Sequence, residues 1–237
     1  KSTRIRNDKN DNLPSFFFFF YGTRVTSDKL NNESIGRWLW FRSSVVNELL
    51  TYRGFSLNWY SQETGAINSS SGYRVHFGLN TADYITVYAY DIARLKPWEQ
   101  HVWSGHNVVP DGKVSAELML SQVEANPAKT YAPEVKLFEL AQVLEQHFYD
   151  QYQLELFSHK VDEDAFFKHI SRFSSKDEPS LLRLAKELAR FFSERLNKKA
   201  LKQISSHKLK NDLGSNKLFE SILADKVGEA KARQMFG

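Results

Sequence analysis

Tyr84-Ile85-Thr86-Val87-Tyr88-Ala89-Tyr90 alternates with a period of two, placing Ile85, Val87 and Ala89 on one side and Tyr84, Thr86, Tyr88 and Tyr90 on the other. Such alternation marks a strand with one buried face, and here it predicts a sheet whose outer face is aromatic. Upstream, Phe16 to Tyr21, Phe55 to Tyr60 and Tyr73 to Leu79 are short aromatic and β-branched runs separated by Gly, Asn, Ser and Asp. The connections Gly65 to Gly72 and Leu79 to Asp83 are short enough for hairpins, so strands near 57, 75 and 87 are expected to form an antiparallel meander. Phe16 to Phe20 reads as a central strand buried on both faces. Ile35 to Arg53 reads as one inserted helix closed by Gly54.

Downstream the pattern changes twice. Four of the six prolines (Pro97, Pro110, Pro127, Pro133) fall between 97 and 134, a stretch that reads as a polar crossover with one short helix at Ser115 to Ala125. After Pro133, apolar residues recur at three and four: Val135, Phe138, Ala141, Leu144 and Phe148, then Leu181, Leu184, Leu188, Phe191 and Phe192. Asp162, Asp177 with Pro179 just inside, and Ser215 after Gly214 mark helix starts. Helices are expected at about 134–157, 162–173, 178–204 and 215–236. The resulting fold class is α+β: a mainly antiparallel N-terminal sheet with one inserted helix (1–96), the crossover (97–133), and a C-terminal bundle of about four helices (134–237). The last of these ends as an unfinished helix, so a longer protein is expected.

Composition narrows the function classes. With 41% hydrophobic and 25% charged residues among 237, the chain has the balance of a globular protein. Its longest apolar run, Phe16 to Tyr21, is far short of the ~20 residues a membrane helix needs. Zero cysteines exclude a disulfide framework, a thiolate metal cluster and a thiol nucleophile, and they suit a reducing compartment, so cytoplasm is the expected location. Net charge is +4, yet residues 183–237 alone carry 13 basic and 6 acidic residues, while all five Trp lie before residue 104.

Three segments carry side chains suited to chemistry or recognition. Trp98 to Lys113 packs His101, His106, two Trp and Asp111 into sixteen residues read as loop, with Glu117, Gln122 and Glu124 following. A hydrolase could use His101 or His106 as general base and Asp111 or Glu117 to orient it or bind metal, with His76 as a further nitrogen ligand. The spacing of His101 and His106 matches no helical metal signature, and packing of a long crossover explains the same residues. The second segment is the sheet set Trp59, Tyr60, Tyr73, Tyr84, Tyr88 and Tyr90, whose flat rings suit stacking on bases or sugars or simply burial under a helix. The third is a basic stripe, Arg183, Lys186, Arg190, Lys198, Lys199 and Lys202, continuing to Lys208 and Lys210; it suits phosphate, although Glu187 and Glu194 share its arc and would pair with it.

No Ser nucleophile elbow, Walker loop or paired-glycine fingerprint is present. The Arg-polar…His pattern of helical-bundle ribonucleases is missing too, since Arg195 is followed by Leu196. The reading is therefore a binding or regulatory module contacting nucleic acid, a protein partner or both, away from membranes and with no cofactor specified. The alternative is a metal- or His-dependent hydrolase with its site in 98–124.

Overall fold

The computed structural model describes residues 13–175, 177–205 and 213–236. The fold is α+β, as expected, and the chain divides into two compact units: residues up to 136 together with 171–174, and 137–170 together with 175 onward. No helix among the described residues is long and apolar enough to cross a membrane.

In the first unit, β1 (Ser15–Phe17) and β2 (Arg24–Thr26) form a two-stranded antiparallel sheet. The main sheet has six strands: β3 (Trp38–Arg42), β4 (Ser56–Trp59), β5 (Thr64–Asn68), β6 (Arg74–Leu79), β7 (Tyr84–Tyr88) and β8 (Asn107–Val108), in the spatial order β4-β5-β6-β7-β3-β8 and antiparallel throughout. Between them lie α1 (Ser44–Thr51), α2 (Ala89–Ala93) and α3 (Pro97–His106), and α4 (Ala116–Gln122) follows β8. One face of the sheet is the core: Leu39, Phe41, Leu57, Trp59, Val75, Phe77, Ile85 and Val87 are buried together with Val45, Val46, Leu49 and Leu50 of α1 and Trp103 of α3. Trp103 meets Phe41 edge to face at 4.8 Å, and Phe173 stacks on Trp59 at 5.2 Å. Arg172 closes this end, paired through two nitrogens with the buried Glu134 carboxylate, bonded to the Gln62 carbonyl and lying 4.1 Å over the Trp59 ring.

Several local expectations are corrected. Phe16 to Tyr21 is no central strand: only its first residues pair, Phe19 to Gly22 is a turn in which Gly22 takes φ +80°, and Phe20 and Tyr21 are exposed. Ile35 to Arg53 is not one helix, because Trp38-Leu39-Trp40-Phe41-Arg42 alternates and pairs with β7, and the helix begins only at Ser44. The meander gains a strand, β5, between those near 57 and 75. Its Gly65 marks a close approach rather than a turn, since a Cβ there would lie 2.6 Å from the Asn58 carbonyl oxygen. Residues 97–106, read as crossover loop, form α3, opened by Pro97 at its first position.

The second unit is helical. α5 (Pro133–Tyr152) starts in the first unit and runs into the second, followed by α6 (Glu163–His169), α7 (Glu178–Ala189), α8 (Lys198–Ile204), α9 (Ser215–Val227) and α10 (Glu229–Phe236). Asp162 and Asp177 cap α6 and α7 as expected, accepting from the N–H groups of Ala165 and Ser180. The expected continuous helix 178–204 is broken: Arg190–Glu194 is a π-helical turn, and Asn197 caps a new helix through the Ala200 N–H. Phe157 and Leu196 form an isolated antiparallel bridge, and Phe148, Leu156, Phe157, Leu196, Leu201, Leu218 and Ile222 make the core. Gly228, at φ +90°, separates α9 from α10.

Gly78 and Gly105 offer a paired test of packing in the first unit. A Cβ on Gly78 would lie 2.7 Å from the Cβ atoms of Leu118 and Ser115, so Gly78→Ala is expected to push α4 off the sheet and destabilise by about 1–3 kcal/mol. Gly105→Ala, in a helix with nothing within 4 Å, is expected to be neutral or to stabilise by up to about 1 kcal/mol. Urea unfolding of the two variants checks both.

Candidate functional site

The second face of the main sheet is buried only in part: Thr64, Ala66, Gly78 and Thr86 are covered, whereas other residues on it reach solvent. Period two places Trp38, Trp40 and Arg42 of β3, Thr86 and Tyr88 of β7, Arg74, His76 and Gly78 of β6, Ala66 and Asn68 of β5, and Ser56 and Asn58 of β4 on it. The registers Asn58↔Ala66, Ala66↔His76 and Tyr88↔Trp38, with Phe77↔Val87 setting His76 level with Tyr88, align these residues into one cross-strand row. In that row Trp38 and Tyr88 stack at 4.2 Å, and His76 stacks on Tyr60 at 5.7 Å and 25°. All four rings reach solvent, at least in part. Beside the row, Asn68 donates to Ser56 and Asn58, and Arg74 Nε donates to the Asn68 side-chain oxygen Oδ1, giving a strip of amides and one guanidinium.

Asp91, on α2, sits between this row and a second aromatic group. The Tyr73 hydroxyl donates to it at 3.0 Å, and Arg94 lies over both Tyr73 (5.5 Å) and Tyr90 (5.0 Å). Burial pushes the Asp91 carboxyl above its usual value, against the Tyr73 hydrogen bond and the nearby His76, which favour the charge. Burial likewise pushes His76 below its ordinary 6.5, and both burial and Asp91 raise the Tyr73 phenol. Beyond His76, a groove of about 400 Å³ opens between Tyr60, His76 and the 127–131 segment, with Gln122, Pro127 and Tyr131 on its walls. Tyr60 is 42% exposed, Tyr90 47% and Tyr131 50%, so rings line the site and its approaches.

Of the expected sheet set, Trp59 belongs to the core face and Tyr90 lies on a helix rather than a strand; Thr86, on the face expected to be outer, is fully buried and donates to the Gly78 carbonyl. Alternation alone could not have found Trp38, which comes from a segment read as helix, nor His76 as a ring of the row. α4 covers this face at Gly78 and lines the groove beside His76.

The residues expected for hydrolysis are scattered. His101 is exposed on α3; His106 ends that helix beside α1; Asp111 is exposed in the loop between β8 and α4, its carbonyl accepting from Asn80; and Glu117 is buried. None of the four hydrogen-bonds another. Glu117 clasps the 127–131 segment, accepting from the N–H (3.0 Å) and hydroxyl (2.9 Å) of Thr130. Burial raises its carboxyl, but hydrogen bonds from Ser61, Thr130 and Glu63 outweigh this and hold it below the usual carboxylate range. His106 instead meets two residues that the sequence reading did not single out: its Nδ1 lies 3.0 Å from the Ser44 hydroxyl and its Nε2 2.6 Å from Glu48. Among the described residues no group of three or more His, Asp or Glu is placed to hold a metal ion.

The basic stripe is split by the break in 178–204. Arg183 and Lys186 are exposed on α7, Lys198 and Lys199 at the start of α8, and Lys202 is half-buried. Arg190 is paired with Glu187 at 3.0 Å and Glu194 at 3.5 Å. Lys208 and Lys210 lie outside the described residues. Comparison with known proteins finds no matching family model, no similar curated protein and no similar solved structure.

The opposed shifts of His76 and Asp91 have opposite consequences for stability. A His depressed in the folded state is protonated first in the unfolded chain, so its contribution is present above 6.5 and lost as pH falls. A raised Asp does the reverse: its contribution is present at low pH and lost as pH rises through the raised value. His76→Gln is therefore expected to flatten the fall in melting temperature on acidification below pH 6.5, and Asp91→Asn to gain stability at neutral pH relative to acid, both read by thermal melts across a pH series.

Proposed function

We propose that this chain is a binding module of the cytoplasm that takes single-stranded nucleic acid on the second face of its sheet. The observation that carries this reading is the row of solvent-reaching rings, Tyr60 with His76 and Tyr88 with Trp38, flanked by amides and by Arg74. Bases present flat faces to stack on rings, a stacked base contributes about 1–3 kcal/mol, and amide side chains can bond base edges without demanding one sequence. A duplex offers no free base faces, so a platform of this kind favours unpaired strands. The second unit separately exposes Arg183, Lys186, Lys198 and Lys199, cations suited to phosphate, and the pI of 9.1 suits a polyanion. Absence of cysteine suits a reducing compartment.

Fluorescence anisotropy with labelled single- and double-stranded oligonucleotides, repeated from low to physiological salt, tests the reading. Single strands are expected to bind more tightly than duplexes, with a steep salt slope. Tyr60→Ala is expected to weaken binding by about tenfold, and Arg74→Ala to lower the salt slope by about one phosphate. No binding of single strands at low salt, or unchanged binding by Tyr60→Ala, overturns it.

A further inference from the structure

The pairing of β3 with β8 builds a second constellation in the first unit, separate from the ring row. Phe41↔Asn107 sets Asn107 beside the end of β3, so His106 falls next to the step from strand to helix at Arg42–Ser44. That position is locked from several sides: the Arg42 guanidinium donates to the Gly105 carbonyl at 2.8 Å, the Asn107 amide donates to the Trp40 carbonyl at 3.0 Å and its oxygen accepts from the Phe17 N–H, and the Ser104 hydroxyl donates to the Ser15 carbonyl at 2.8 Å. Ser44 is the first residue of α1, and Glu48 stands four residues later, one turn further along the same helix.

The hydrogen bonds are mutually consistent. An ionised carboxylate only accepts, so the 2.6 Å contact with Glu48 puts the imidazole proton on Nε2. In the neutral ring Nδ1 is then an acceptor, and the 3.0 Å contact is one in which the Ser44 hydroxyl donates to it. A hydroxyl bonded to an imidazole whose tautomer is held by a carboxylate is the arrangement that activates a serine for nucleophilic attack. Two further features favour chemistry over a simple tie between helices. Ser44 sits at a strand-to-helix step, where the first N–H groups of α1, those of Ser44 and Val45, have no acceptor within the helix and lie at the positive end of its dipole. The site is also reachable, with the His106 and Glu48 side chains 16% and 45% exposed.

We propose that Ser44 is an acyl-accepting nucleophile, with His106 as its base and Glu48 as the residue that positions His106, and that the substrate is a carboxylic ester, the class of acyl donor such a serine attacks. The Ser44 oxygen attacks the ester carbonyl carbon as its proton passes to His106 Nδ1, and the carbonyl electron pair moves onto oxygen. Collapse of the tetrahedral species breaks the bond to the alkoxide, which leaves with the proton from His106. Water then repeats the sequence on the acyl-serine: its proton goes to His106, its oxygen to the acyl carbon, and the carboxylic acid departs as Ser44 regains its proton.

The test is covalent labelling of the full chain by a fluorophosphonate, in which the serine oxygen bonds to phosphorus and fluoride leaves, with the site read by peptide mass spectrometry. p-Nitrophenyl acetate turnover is followed in parallel. Labelling is expected at Ser44 and not at the exposed Ser34, lost in Ser44→Ala and slowed about a hundredfold or more in His106→Gln. Glu48→Ala is expected to slow labelling without moving it from Ser44, and Glu48→Asp to restore part of the rate, an effect that a purely structural carboxylate would not have. Melting temperatures of the variants separate a lost base from a lost fold. An unlabelled native protein, or labelling spread over several exposed serines and indifferent to His106→Gln in a folded variant, overturns the proposal, as does acetate ester turnover that persists unchanged in Ser44→Ala.

Discussion

Two side-chain groups of the first unit depend on where β3 pairs. Its five residues sit between β7 and β8, so each of its two neighbours fixes a different feature. Pairing with β7 puts Trp38 opposite Tyr88 and completes the ring row. Pairing with β8 brings His106 to the start of α1. Both pairings demand that Leu39 and Phe41 point into the core against Trp103, because a slip of one residue would expose them and bury Trp38 and Trp40 instead. The hydrophobic effect thus sets the register, and the register sets the chemistry on either side.

The second face of the same sheet shows how burial is rationed. Gly78 removes a side chain so that α4 can lie against the strand through Leu118 and Ser115, and Glu117 then holds the 127–131 segment through Thr130. α4 also lines the groove beside His76, where rings and amides stay in partial contact with water. The titratable groups there keep their partners, Asp91 with Tyr73 and Arg94 with two rings, so half-burial shifts their proton affinity without leaving them unsatisfied.

In the second unit the corresponding organiser is Arg195. It is buried, lies 4.4 Å from the Phe157 ring and 4.7 Å from that of Phe191, and donates twice to the His159 carbonyl and once to that of Phe191. The π-helical turn just before it widens the helix where this guanidinium must turn inward, and the main chain continues into the Phe157↔Leu196 bridge through the bonds Ser158 to Arg195 and Asn197 to Leu156. The basic residues on either side are consequently carried by two helices rather than one stripe.

Sequence patterning determined the fold class, strands β4, β6 and β7, and the caps at Asp162 and Asp177, because period and capping chemistry are local properties that a few neighbouring residues settle. It also drew attention to Tyr60, Tyr88 and His106 as side chains of interest. Tertiary structure alone decided what those residues meet. The strand Trp38–Arg42 is short and aromatic, equally readable as helix until β7 pairs with it, and Gly65 reads as a turn until Asn58 and Phe77 close on it. The break at Asn197 follows from the buried Arg195 and its carbonyl partners, a long-range requirement that helical periodicity in 178–204 cannot reveal. Ser44 and Glu48 carry no motif of their own; they matter because a strand pairing brings His106 to them across about sixty residues of sequence, and such contacts exist only once non-local pairing has been formed.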